Sequence, residues 1–169
     1  MNEELLFSNF IVNAVIIGTG ATLFMDFCAL LQQRFLAIIP LNYALVGRWL
    51  LYMPKGVFRH NNILLAKPMN MESLVGWFSH YIIGILFAAI MIICNGHRWL
   101  LAPTITPSIV FGILTVIFPY FLMQPCLGFG IAAAKTPKPN TARIRSLITH
   151  TIFGLGLYLT ALINSLIMQ

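Results

Sequence analysis

The chain has 169 residues, of which 59% are hydrophobic and only 8% charged, and its mean hydropathy is +0.88. So little polar surface excludes a water-soluble globule of this size and makes lipid the solvent for much of the chain. The net charge of +6 is carried by no soluble basic module, which excludes a nucleic-acid partner.

A bilayer core of about 30 Å needs roughly 20 apolar residues in a helix, so the elements are sought as long stretches free of Asp, Glu, Lys and Arg. The first runs over 10–33 and is interrupted only by Asp26. Glu3 and Glu4 precede it and it is too long for a signal h-region, so it is expected to be retained as a span. Residues 34–72 then form a loop. Within it, about 41–53 is apolar but follows Pro40, contains Asn42 and Arg48, and carries Tyr43, Trp49 and Tyr52, residues of the headgroup zone. This segment is expected to be an interfacial or re-entrant helix. The second span covers 73–95 and the third 106–130, with Pro119 and Pro125 inside it. A loop over 131–145 leads to the fourth, 146–167. The fold class is thus an all-α membrane protein of four transmembrane helices, a single transmembrane domain over 1–169.

Charge orients these spans. Arg34, Arg48, Lys55, Arg59 and Lys67 lie between spans one and two, and Lys135, Lys138, Arg143 and Arg145 between spans three and four. Arg98 alone lies on the other side, so the positive-inside rule places both large loops in the cytoplasm and both termini outside, in a bacterial-type inner membrane. The bilayer is the first expected partner, and the run Lys135–Arg145 is a candidate contact for anionic lipid. Cys28, Cys94 and Cys126 form no CxxC pair, so neither a disulfide framework nor a zinc finger is expected.

An internal repeat points to a site. Ile11-Val12 is followed fourteen residues on by Met25-Asp26-Phe27-Cys28, and Ile109-Val110 fourteen on by Met123-Gln124-Pro125-Cys126. Spans two and four share Ser79-His80 with Gly84, and Thr149-His150 with Gly154. The halves read as two parallel two-helix repeats about an axis along the membrane normal. Counting about 1.5 Å per residue from the nearest charged anchor puts Asp26, His80, Gln124 and His150 in one layer of the cytoplasmic third. Gly18-Thr22-Asp26, Gly76-His80-Gly84-Ala88 and Ser146-His150-Gly154 each form a stripe of small or polar residues where helices pack. Pro119 and Pro125 remove two backbone donors, leave the carbonyls of Thr115 and Phe121 short of partners, and favour a kink beside Gln124.

Asp26 is the single acid inside a span, and its burial demands protonation, a partner or a purpose. Three readings stand side by side. In the first, Asp26, His80, Gln124 and His150 form a ligand or proton site of a transporter-like, ion-handling protein, for which four spans imply a homodimer. In the second, His80 and His150, with Met25 and Met123 as soft donors, hold haem b or copper. In the third, a hydrogen bond from His80 or His150 to Asp26 fastens helices in a structural or assembly subunit. His60 is expected to be solvated or interfacial. There is no Gly-rich phosphate loop, HExxH or GxSxG, so an enzyme is not the expectation.

The motifs Gly-Thr-Gly-Ala-Thr-x-x-Met25-Asp26, Gly47-Arg48-Trp49, Gly56-x-Phe58-x-His60, Gly76-Trp77-x-x-His80-Tyr81, Met123-Gln124-Pro125, Thr136-Pro137-x-Pro139 and Ser146-Leu147-x-x-His150 span nearly the whole chain. On them it resembles a family of small bacterial inner-membrane proteins known only as a domain of unknown function. The resemblance implies the four-span architecture and no activity.

Overall fold

Apolar residues free of Pro and Gly clusters propagate long helices in this chain, and the helices end where Pro, Gly or polar residues interrupt them. The computed structural model describes residues 3–167, and every regular element among them is helical. In chain order these are α1 (Glu3–Leu36), α2 (Tyr43–Tyr52), α3 (Glu72–Asn95), α4 (His97–Leu101), α5 (Ile105–Leu114), α6 (Gln124–Cys126) and α7 (Pro139–Ile167), with short 3₁₀ turns at Met53–Lys55, Ile63–Leu65 and Ile131–Ala133. Among the described residues, four stretches are long and apolar enough to cross a membrane: Asn9–Leu36, Glu72–Asn95, Ile105–Cys126 and Pro139–Ile167. Large apolar side chains such as Phe35 and Ile93 remain exposed on them, as lipid-facing residues are.

Two boundaries differ from the hydropathy reading. Helix α7 begins at Pro139, where proline is favoured in a first turn, and so includes the polar residues up to Arg145. Hydropathy locates the apolar part of a helix and not its start. The third stretch ends at Cys126, because Gly128 and Gly130 adopt positive φ and take residues 127–130 out of helix.

The described chain divides into two compact units. The first comprises α1, residues 81–114 and 149 onward. Its core is built from helical spacings: Ala14, Ile17, Ala21 and Met25 on α1, Phe87, Ala88, Met91 and Ile92 on α3, Trp99 and Leu100 on α4, and Phe153, Leu157 and Ala161 on α7. Helices approach closely through glycine. A Cβ on Gly18 would lie 2.5 Å from Ile85 Cα, one on Gly156 would lie 2.9 Å from Ala21 Cα, and one on Gly112 would lie 2.6 Å from Gly154 Cα. The small-residue stripes of α1, α3 and α7 are therefore packing seams. A buried amide pair, Asn164 Nδ2 donating to Asn13 Oδ1 at 2.6 Å, joins α7 to α1.

The second unit comprises residues 39–80 and 115–148. Here α2 forms at the segment expected to be interfacial or re-entrant, capped by Asn42 through a 3.0 Å bond to the Ala44 N–H. Gly47 and Gly76 let α2 pack directly on the first turn of α3. Val46, Trp49, Ile63 and Leu127 form the core. Around Pro119 the backbone runs as a π turn, Pro119–Met123, with the Gln124 N–H reaching the Pro119 carbonyl. The Thr115 carbonyl, deprived of its usual donor by Pro119, accepts instead from the Phe118 N–H at 3.1 Å.

Candidate functional site

Asp26, Met25 and His150 belong to the first unit, and His80, Gln124 and Met123 to the second. In the first, Asp26 is half-buried on α1 and accepts a hydrogen bond of 3.0 Å at Oδ2 from the Tyr81 hydroxyl. One turn earlier Thr22, fully buried, donates back to the Gly18 carbonyl at 2.8 Å and occupies the space that a Cβ on Gly84 would need. The close contact of α1 and α3 at Gly18 and Gly84 is thus what brings an acid on one helix within reach of a phenol on the next. Met25 is buried in the apolar core. His150 presents its backbone carbonyl to Gly112 at the tight crossing of α5 and α7.

The second unit holds a different kind of centre. Arg48, on the Gly47-Arg48-Trp49 motif, donates from Nε and Nη2 to both oxygens of Glu72 at 2.8 Å each. Its Nη1 donates to the carbonyls of Ile63 (3.1 Å) and Ala66 (2.9 Å), while Glu72 Oε2 also accepts from the Met69 N–H at 2.8 Å. The hydrogen bonds to Glu72 hold the guanidinium above its ordinary range, against the opposing effect of burial. Trp49 Nε1 donates to the Phe58 carbonyl at 2.8 Å and the Tyr52 hydroxyl to the Lys67 carbonyl at 3.1 Å. These bonds fix residues 56–67 as a defined loop. Main-chain bonds from His60 to Cys126 (2.8 Å) and from Ile63 to Leu127 (2.9 Å) then dock it on the α6 segment, beside Gly128 at φ +89°.

That docking buries His60, which was expected to be solvated or interfacial unless its loop folded upward. Its ring meets Tyr52 edge-on at 5.0 Å, and its buried Nε2 has no hydrogen-bond partner. Gln124 is likewise buried. Its Nε2 makes a long 3.5 Å bond to Ser146 Oγ, and its buried Oε1 has no partner. His80 stacks on Tyr43 at 4.1 Å, with Trp77 edge-on at 5.9 Å. Met123 packs on the core of its unit. Among the described residues, no three or more His, Cys, Asp or Glu side chains gather in a form that could hold a metal ion.

Tyr81, Arg48, Glu72 and His60 were not singled out as site residues from sequence. Tyr81 had a signal, its place beside His80 in the Gly76-Trp77-x-x-His80-Tyr81 motif, but one residue along a helix is a turn of about 100° and changes which side chain faces Asp26.

No curated protein and no solved structure matches the chain. A family model described as "Protein of unknown function (DUF2938)" matches residues 15–164, and the chain belongs to that family.

Proposed function

We propose that the protein is a multi-pass inner-membrane protein of transporter-like type that handles protons, with Asp26 as the group that takes up and releases them. The observation that carries this is the Tyr81 hydroxyl set 3.0 Å from Asp26 Oδ2 inside an apolar helix pair. A carboxyl inside a membrane helix is costly and is retained where it does something. A neutral phenol can orient the ionised carboxylate by donating to it, and can accept from the carboxylic acid once it is protonated. The distribution of Lys and Arg supports an orientation with both large loops in the cytoplasm and both termini outside. A purely structural subunit is the second reading, favoured by the glycine seams and the Asn13–Asn164 pair, which fasten helices without needing a ligand.

The test is proton flux into liposomes containing the purified protein and a trapped pH dye, driven by a potassium diffusion potential. Flux is expected in the wild type, a loss of at least about tenfold in Asp26→Asn, recovery in Asp26→Glu and an altered rate in Tyr81→Phe. A wild type without flux, or an Asp26→Asn variant with unchanged flux, refutes the proposal.

A further inference from the structure

The loop over residues 53–71 is folded but leaves several of its large apolar side chains exposed. Its inward residues are accounted for: Ile63 is fully buried, and Arg48, Trp49 and Tyr52 hold its carbonyls. Yet Phe58 is 62% exposed, Leu64 60% and Leu65 85%. Leu64 and Leu65 sit in a 3₁₀ turn capped by Asn62, whose side chain accepts from the Leu64 N–H at 3.0 Å, so their outward position is fixed by the fold and not by slack in the chain.

Interleaved with these apolar groups are three exposed cations, Lys55, Arg59 and Lys67. The described part of this loop carries no acid before Glu72, and Glu72 is engaged by Arg48. Apolar side chains able to enter the acyl boundary, flanked by cations at headgroup level, are the composition of a membrane-surface element. A soluble protein partner would leave the cations and apolar groups to be matched separately. An anionic bilayer surface matches both at once, and a chain with four membrane-crossing stretches holds its loops beside such a surface.

We propose that residues 53–71 form a rigid foot that inserts Phe58, Leu64 and Leu65 into the bilayer interface and binds the phosphate of anionic phospholipids through Lys55, Arg59 and Lys67. The rigidity distinguishes it from an ordinary tethered loop. Arg48 and Glu72 set its shape before lipid arrives, so little ordering remains to oppose binding.

The test uses the full chain in nanodiscs of phosphatidylcholine, with or without one third phosphatidylglycerol. Native mass spectrometry of the wild type is expected to show phosphatidylglycerol retained over phosphatidylcholine. The triple variant Lys55→Gln/Arg59→Gln/Lys67→Gln, altered only at exposed positions, is expected to lower that preference by tenfold or more, taking roughly fivefold per cation. A nitroxide at Leu65→Cys, with Cys28, Cys94 and Cys126 replaced by Ser, is expected to be more accessible to oxygen than to a water-soluble nickel chelate. Equal retention of both lipids by wild type and triple variant overturns the proposal. So does a Leu65 label that the nickel reagent reaches freely, or one shielded from both reagents and coupled to a second label at short range, which would make a second copy of the chain the occupant.

Discussion

Replacing Arg48 by Met removes one side of the most heavily bonded polar centre in the second unit and leaves an aliphatic chain of similar length. Four hydrogen bonds disappear, two to Glu72 and one each to the carbonyls of Ile63 and Ala66. The Ile63 carbonyl keeps the Ala66 N–H as a donor at 3.2 Å, and Glu72 keeps the Met69 N–H, so the groups left worst placed are the Ala66 carbonyl and the Glu72 charge. With side-chain exposures of 10% and 16% the pair lies near the buried limit, where removing one partner costs about 3 kcal/mol. The double variant Arg48→Met/Glu72→Met removes the stranded charge and is expected to recover most of that loss, a coupling of about 2 kcal/mol. The assay is equilibrium unfolding by SDS in mixed micelles, followed by tryptophan fluorescence, to which Trp49 on α2 contributes, with limited trypsin digestion reading the loop cations. Arg48→Met should unfold earlier and be cut at Lys55 and Arg59 before global unfolding. A single variant within about 0.5 kcal/mol of wild type, with unchanged cleavage, refutes the reasoning.

Further outcomes follow from the same geometry. Gly112→Val places a side chain against Gly154 Cα and is expected to cost about 2 kcal/mol in the same unfolding assay. Asn13→Leu removes the 2.6 Å bond from the buried Asn164 amide and should cost about 1 kcal/mol. His60→Leu removes an imidazole whose Nε2 is buried without a partner. It should leave stability unchanged or raise it by about 1 kcal/mol, and a clear loss would mean that the nitrogen is occupied in the working protein.

The four membrane-crossing helices were legible because charge is so scarce that its few positions delimit them, and the glycine stripes were legible because close helix approach requires small residues at intervals of four. The break in the third stretch followed from Pro119, whose missing donor frees the Thr115 carbonyl. The form it took, a π turn closed by Gln124, depends on packing that no local rule supplies. The burial of His60 was not legible because it comes from main-chain bonds between its loop and a distant segment, His60 to Cys126 and Ile63 to Leu127, more than sixty residues apart, which no local pattern marks. Arg48 was read as a topological charge, and nothing in its spacing to Glu72, 24 residues apart, marks a bidentate pair. Tyr81 was hidden by its neighbour: the two adjacent side chains leave α3 in different directions, and the hydroxyl in the second reaches Asp26.

Asp26 on α1 and Glu72 on α3 stand in different surroundings. Glu72 accepts from Arg48 Nε, Arg48 Nη2 and the Met69 N–H, so its charge is built into the shape of the loop and could not change without releasing it. Asp26 accepts from the Tyr81 hydroxyl at 3.0 Å, and under the function proposed above that phenol would serve the carboxyl in either protonation state. The two roles leave different marks in experiment. If Asp26 were a fastener of the same kind, Asp26→Asn would shift the unfolding midpoint as Arg48→Met does. If it is the proton carrier, Asp26→Asn should hold or gain stability, since a neutral amide is cheaper than a carboxyl in an apolar helix pair, while flux falls. Loss of flux with retained stability is the pattern that separates function from architecture at this residue.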